Sequence, residues 1–136
     1  MTAFSHTFPV RIYYEDTDHG GVVYYANYLK FMERARTELL RDRGIELDEL
    51  EDTESVMFAV TEAHVFYRAP ALFNDAIDVE TRLTELKGVR LAFRQRILRN
   101  DEILVEGEIR LACIDRDGKP KRIPSSVSEI MERELS

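Results

Sequence analysis

The sequence predicts an α+β fold in which one helix packs on an antiparallel sheet. The only long stretch in which apolar residues recur with a helical period lies at about residues 25–43. From about residue 57 onward, apolar residues alternate with polar ones. Steps of three and four are typical of an amphipathic helix, and steps of two are typical of a strand with one buried face. The predicted order is strand, long helix, then four strands joined mainly by short turns.

The N-terminal part contains one predicted strand and the only long helix that the sequence supports. Residues 7–14 are rich in Phe, Val, Ile and Tyr, which favours a strand. We place the helix at about residues 25–43, and Gly44 follows as a stop signal. Its apolar stripe consists of Tyr28, Phe31, Met32, Ala35 and Leu39.

The later strands follow one another at short intervals. A strand at about 57–68 ends at Ala69-Pro70, and three alternating strands follow at about 77–84, 89–98 and 103–113. A final short helix is expected after Pro124, capped by Ser125 or Ser126. Because one helix covers only one face of a sheet, the other face and the edges need cover, and we expect at least a homodimer.

Length and composition narrow the class of protein. The 136 residues suit one domain spanning residues 1–136, and the net charge of −7 argues against binding to nucleic acid. A single cysteine, Cys113, excludes an internal disulfide. Neither a signal peptide nor a membrane span is visible in the sequence. We therefore expect a cytoplasmic protein.

One segment, residues 13–28, concentrates reactive side chains, and its centre is Asp18. Gly20-Gly21 allows the backbone to approach a ligand closely, and a helix start near Tyr24 or Tyr25 offers free N–H groups. Such groups suit a carbonyl oxygen that becomes negative during acyl transfer, and an upstream carboxylate could attack the carbonyl or activate water. Spacing alone nevertheless favours a turn in which the aspartates cap backbone N–H groups.

A metal site in the same segment is less well supported. A calcium loop is disfavoured because Gly20 takes an acidic position and Asn27 stands where the closing glutamate belongs. A site built from Glu15, Asp16, Asp18 and His19 stays possible, but no second ligand cluster appears in the sequence. We expect neither a metal nor a cofactor.

A further set of stretches matches a known family: residues 14–18, 20–24, 26–28, 33–36 and 67–71, Asp75, and residues 90–97 and 120–124. These stretches resemble the hydroxybenzoyl-CoA thioesterase group of hot-dog proteins, and most closely the acyl-CoA thioesterases encoded with the Tol-Pal system. The resemblance implies a hot-dog fold, a five-stranded antiparallel sheet wrapped around one long central helix. It also implies a homodimer or homotetramer that hydrolyses a short- or medium-chain or aromatic acyl-CoA to free acid and CoA.

The resemblance also implies roles for individual residues. Asp18 matches the catalytic carboxylate, as nucleophile or as general base, the backbone N–H of Tyr25 matches the oxyanion donor, and Tyr14 lies near the aspartate. Many Tol-Pal-associated relatives carry histidine at the position of Tyr25, whereas the hydroxybenzoyl-CoA enzymes carry tyrosine. Further substrate contacts are expected at Gly21, Val22 and Tyr24, and contacts with the CoA phosphates at Arg90, Lys121 and Arg122.

Two other functions are weighed against thioester hydrolysis. A hot-dog dehydratase uses a histidine in or near the helix, and this helix contains none. A non-catalytic hot-dog module that binds acyl carrier protein or Tol-Pal partners would not need Asp18. Arg36 lies inside the apolar arc of the helix, where a structural or interfacial role is favoured over substrate binding.

Overall fold

The computed structural model describes residues 4–135, and its architecture is the predicted α+β fold. Within these residues, one strand is followed by two helices, four consecutive strands and a last helix, with single 3₁₀ turns at Tyr14–Asp16 and Glu132–Glu134. The strands are β1 (His6–Arg11), β2 (Met57–Tyr67), β3 (Ala76–Lys87), β4 (Arg90–Arg99) and β5 (Glu102–Ile114). The helices are α1 (Asn27–Asp42), α2 (Leu47–Glu54) and α3 (Ser125–Met131).

The five strands form one antiparallel sheet in the order β1-β3-β4-β5-β2, and α1 packs on one face of it. Every member of the predicted apolar stripe of α1 is buried, so burial against the sheet accounts for the helical period. The helix lies especially close to β5 at Gly107, where an added Cβ would stand 2.9 Å from Cε of Met32. A glycine at this position therefore allows the helix to approach the strand.

Two predicted boundaries are wrong by a few residues at the same place in the chain. β1 ends at Arg11 instead of residue 14, and α1 begins at Asn27 instead of residue 25. The carboxylate of Asp16 accepts a hydrogen bond of 2.8 Å from the backbone N–H of Tyr13, which closes a 3₁₀ turn. The aromatic residues after Ile12 thus belong to a turn, because a local side-chain contact competes with strand pairing.

Helix α2 is absent from the predicted elements, and the predicted serine cap of α3 is wrong. Helix α2 buries only Leu50, so it lacks the long apolar stripe by which α1 was found. In α3 the N-cap is Pro124, and no side chain caps the helix. Instead, the hydroxyl of Ser126 donates to the carboxylate of Glu54 at 3.4 Å, which connects α3 to the end of α2.

The two edges of the sheet differ in length and exposure. β1 has six residues, including Pro9, which cannot donate a ladder hydrogen bond. β2 has 11 residues without proline, and it exposes large apolar side chains such as Val60 and Phe66. A long exposed edge of this kind favours pairing with another chain. Among residues 4–135, no helix is long and apolar enough to cross a membrane.

Candidate active site

The segment between β1 and α1 doubles back on itself, and Asp18 lies at its tip. An isolated bridge joins Thr17 to Val23, and the backbone N–H of Asp18 donates to the carbonyl of Val22 at 2.9 Å. Gly21 takes a φ of +77°, a conformation that costs glycine little and other residues more. Gly21 and Val22 thus form the returning arm of the turn that carries Asp18.

The two aspartates of this segment both cap backbone N–H groups, as spacing alone had favoured. Asp16 is half-buried and structural, since its carboxylate holds Tyr13 and its carbonyl accepts from the backbone of Tyr24 at 3.0 Å. Oδ1 of Asp18 accepts from the N–H of Gly20 at 2.8 Å, but this side chain is exposed. Oδ2 of Asp18 has no hydrogen-bond partner among residues 4–135, and it remains open to a reactant.

The start of α1 is held against this turn. The side-chain amide of Asn27 donates to the carbonyl of Asp16 at 2.9 Å, and the backbone N–H of Asn27 donates to Tyr24. Tyr25 therefore lies in the turn that precedes the helix rather than in the helix itself, which corrects the predicted start. Within the described residues, the N–H of Tyr25 has no backbone acceptor and is available to a ligand.

Aromatic side chains surround this helix start. The ring of Tyr14 is 79% exposed and contacts the edge of Phe73 at 5.5 Å between centroids, and no polar contact joins it to Asp18. The rings of Tyr24 and Tyr25 lie 4.9 Å apart, and hydrogen bonding of the Tyr24 hydroxyl to the Tyr25 side chain raises the pKa of Tyr24. These exposed tyrosines lie within seven residues of Asp18 in the sequence, and their rings offer flat apolar surfaces for a ligand.

A small cavity of about 260 Å³ opens beside Tyr25. Its walls include Val23, Tyr25, Tyr28 and Tyr67, and the Ala69-Pro70 corner closes one side. The hydroxyl of Tyr67 donates to the carbonyl of Tyr25 at 3.4 Å, and burial raises the pKa of Tyr67. The end of β2 is thus joined directly to the start of α1.

The basic residues predicted to bind CoA phosphates lie elsewhere in the same chain. Arg90 starts β4 and lines a cavity of about 850 Å³ on the sheet face away from α1, while Arg122 lines another beside the β3–β4 turn. Lys121 donates to the carbonyl of Glu54 at 2.9 Å. The Asp18 turn contacts the chain just before β3, whereas these residues lie near the far end of β3, about 36 Å away along the strand. Within one chain, the structure does not bring them together with Asp18.

The described histidines, and the acidic side chains weighed above as metal ligands, do not form a common site. His19 is an exposed neighbour of Asp18, and His64 contacts Glu62 at 3.3 Å on the outer face of the sheet. Across residues 4–135, no group of three or more His, Cys, Asp or Glu side chains is arranged to hold a metal ion.

Comparison with known families decides the identity of the fold. The thioesterase-like superfamily model matches residues 13–131, which includes the Asp18 turn, α1 and the whole sheet except β1. The chain belongs to this superfamily. It therefore has the hot-dog fold, with the five-stranded sheet wrapped around α1.

Several proteins that are similar to this chain are named thioesterases. The chain is 43% identical over 122 residues to the acyl-CoA thioesterase YbgC of Haemophilus influenzae, which covers 89% of this chain and 90% of that one. A probable thioesterase from Bartonella henselae superposes with a TM-score of 0.85 at 38% identity, covering 88% and 98% of the two chains. A gentisyl-coenzyme A thioesterase gives a TM-score of 0.83 at 29% identity, with 89% and 98% covered.

Two residues that support the site of this hot-dog chain, Tyr67 and Asn27, are not among the predicted site residues. Tyr67 was seen only as part of a matching stretch, and its contacts with Tyr25 and Tyr28 arise because β2 ends beside the helix start. Asn27 likewise belongs to a matching stretch and has no predicted role in the site, yet its side chain fixes the helix start to the Asp18 turn. An asparagine at a predicted helix start is a usable signal of such a contact, whereas nothing local reveals the role of Tyr67.

Proposed function

We propose that this chain hydrolyses acyl-CoA thioesters and that Asp18 is its catalytic carboxylate. The observation that carries the proposal is an exposed carboxylate with one free oxygen, placed on a turn that is pinned to a helix start with an unpaired N–H. These groups match what acyl transfer needs, a nucleophile or base and a donor for the developing oxyanion. The similarity to acyl-CoA thioesterases along most of the chain supports the same activity.

Two routes use these groups. In one, Oδ2 of Asp18 attacks the thioester carbonyl, the C–S bond breaks with release of CoA thiolate, and water then hydrolyses the acyl-aspartyl anhydride. In the other, Asp18 removes a proton from a water molecule that attacks the carbonyl directly. In both, the N–H of Tyr25 donates to the carbonyl oxygen as it becomes negative, and the dipole of the 16-residue helix α1 adds to the effect. The products are a carboxylic acid and CoA.

The acyl group is proposed to be a short or medium chain or an aromatic ring. Exposed tyrosine rings at positions 14, 24 and 25 offer stacking partners for a ring, and a solved structural relative is a gentisyl-coenzyme A thioesterase. Gly21, Val22 and Tyr24 are proposed to contact the substrate because they form the returning arm beside Asp18.

The working unit is proposed to be a cytoplasmic homodimer or homotetramer. The long exposed edge of β2 supports pairing with a second copy, and the β2 end carries Tyr67 beside the site. Since Arg90, Lys121 and Arg122 lie far from Asp18 of their own chain, they are proposed to serve the phosphates of a CoA bound at the Asp18 of a partner.

The first experiment compares Asp18→Asn with Asp16→Asn. An asparagine at position 18 keeps the hydrogen bond to Gly20 but is neither nucleophile nor base, so kcat should fall by about a hundredfold or more. Asp16→Asn keeps an acceptor for Tyr13 and should retain activity. Release of free thiol from acyl-CoAs measures both variants, and wild-type turnover by Asp18→Asn would contradict the proposal.

The second experiment tests the sharing of a site between copies. Light scattering should give two or four times the chain mass of 15.9 kDa. Asp18→Asn and Arg122→Glu variants, each weak alone, should regain activity when they are unfolded and refolded together, because mixed dimers contain one site with both residues intact. A monomer in solution, or a mixture that stays as weak as its parts, would contradict the shared site.

A further inference from the structure

A groove runs along the side of α1 beneath the exposed edge strand β2. Residues paired across two neighbouring strands point to the same face of the sheet. The β5 residues that face the core or Met32 of α1 therefore identify the β2 side chains on the helix side of the sheet. These side chains are Phe58, Val60, Ala63, Val65 and Tyr67. At one end of the groove Tyr67 contacts Tyr25. Farther along, a cavity of about 510 Å³ lies between Leu29 and Ala63, and a second of about 120 Å³ continues it toward Phe58.

The walls of this groove are apolar, and its charges are unbalanced. Leu29, Val60, Ala63 and Ile109 supply the apolar side chains of the larger cavity, and a volume of this size suits a small organic ligand. The charged side chains around it are three cations and one carboxylate, namely Lys30, Arg34, Arg36 and Glu33. The whole chain, in contrast, has a net charge of −7. The groove therefore favours an apolar ligand that also carries negative charge.

Arg36 is the buried cation among them, and it belongs to both cavities. The residue is only 8% exposed, and one guanidinium nitrogen donates to Oε1 of Gln95 at 3.0 Å. Gln95 in turn donates to the carbonyl of Met32 and to the hydroxyl of Thr81, both at 2.9 Å. We call Arg36, Gln95 and Thr81 the buried polar cluster. It fixes the position of the guanidinium where the two cavities meet.

The buried polar cluster contains no negative charge to match Arg36. Among residues 4–135, no carboxylate oxygen lies within 4.0 Å of its guanidinium, and the field of Glu33 only partly offsets desolvation, which lowers the pKa of Arg36 to about 10. A buried cation without a paired anion is costly, and a planar guanidinium is suited to binding a carboxylate through two hydrogen bonds. A carboxylate brought by a ligand would complete the pairing.

We propose that this groove binds the acyl chain of the thioester and that Arg36 selects acyl chains ending in a carboxylate. The inference rests on the proposed thioesterase function and names its substrate class. The groove extends from the helix start, where the thioester carbonyl would meet Tyr25 and Asp18, to Arg36, which lies about 14 Å along α1 from Asn27. A second copy paired at β2 would lie along the open side of the groove and exclude water from it. Hydrolysis would then release a dicarboxylic acid and CoA.

The test compares acyl-CoAs of equal length that differ only at the far end of the chain. Adipoyl-, pimeloyl- and suberoyl-CoA are paired with hexanoyl-, heptanoyl- and octanoyl-CoA, and kcat/KM is measured for each by thiol release. For at least one length the wild-type protein should prefer the carboxylate by about tenfold or more, as for a charge-assisted hydrogen bond in a buried site. In Arg36→Met this preference should disappear, and in Arg36→Lys it should survive in part.

A matched control is Arg41→Met, the same substitution on the same helix at an exposed arginine that pairs with Glu38 and Glu46. It should leave the preference unchanged. Since Arg36→Met alters the core, its circular dichroism and melting temperature are compared with those of the wild type. Arg36→Lys, which keeps the charge, provides the variant of nearly native structure.

Calorimetric titration of Asp18→Asn with adipoyl- and hexanoyl-CoA separates the two proposals. Tighter binding of adipoyl-CoA, lost on adding Arg36→Met, supports selection by Arg36 even if hydrolysis is not seen. Hydrolysis of simple acyl-CoAs with no preference for a carboxylate at any length overturns the inference and leaves the thioesterase function standing. A third outcome also overturns the inference: Arg36→Met loses the dimer but keeps the preference for carboxylate-ended acyl chains. Arg36 would then pair with an anionic group of the partner chain and not with the substrate.

Discussion

The Asp18 turn and the buried polar cluster both place charged groups beside α1, but they are held in opposite ways. Asp18 is exposed and makes one side-chain hydrogen bond, to a backbone N–H two residues away. Arg36 and Gln95 are buried and connect α1 to β3 and β4 through side chains distant in sequence. The turn is therefore formed by local contacts, whereas the cluster exists only once the helix has packed on the sheet.

This difference predicts which measurement each region controls. A carboxylate in water can be neutralised with little effect on the free energy of unfolding, because it loses only one local hydrogen bond. A buried group that loses its partner keeps the full cost of its desolvation. Changes in the turn should therefore affect activity, and changes in the cluster should affect stability first.

The largest stability effect is expected for Gln95→Leu. The change removes the acceptor of Arg36 and the donor to Met32 and Thr81, so a buried cation remains without its partner. The free energy of unfolding should fall by about 3 kcal/mol, measured by urea denaturation.

The double variant Arg36→Met, Gln95→Leu sharpens this prediction. Removing both polar groups leaves no unpaired charge, so the double variant should be more stable than Gln95→Leu alone. If the double variant instead loses as much stability as the two single variants together, Arg36 and Gln95 are not coupled.

A smaller effect is expected for Tyr28→Phe, which lies between the two regions. The hydroxyl oxygen of Tyr28 accepts a hydrogen bond of 2.9 Å from the buried N–H of Ala71, and the carbonyl of Ala71 accepts from Val23 in the Asp18 turn. Phenylalanine leaves that N–H without an acceptor at a cost of about 1–2 kcal/mol. Thermal denaturation measures the loss, and a stability equal to that of the wild type would show that water replaces the hydroxyl.

The smallest effect on stability is expected for Asn27→Ala. The carbonyl of Asp16 still accepts from Tyr24 when the Asn27 amide is absent, so the cost should be about 1 kcal/mol or less. Because the contact positions the Asp18 turn on α1, kcat should nevertheless fall severalfold. Unchanged kcat together with a large loss of stability would reverse the distinction between the two regions.

The helices and strands that can be predicted from the sequence are those with a strong periodic pattern of apolar residues. The stripe of α1 and the alternation in β3, β4 and β5 reflect burial on one side of a regular element, and these elements were found. Helix α2 buries one residue, so it carries no such pattern. The end of β1 depends on the Asp16 carboxylate reaching back to Tyr13, a local competition that apolar spacing does not record.

For the candidate site, the sequence by itself determined the short segment that carries Asp18, Gly21 and Tyr25, because a turn and a helix start lie within a few residues of each other. Only the tertiary structure decided what meets that segment. Tyr67 arrives from the end of β2, Arg36 finds Gln95 rather than a carboxylate, and Arg90 and Arg122 stand at the far end of the sheet. These relations depend on strand order and on burial of α1, which bring together residues that are far apart in the chain.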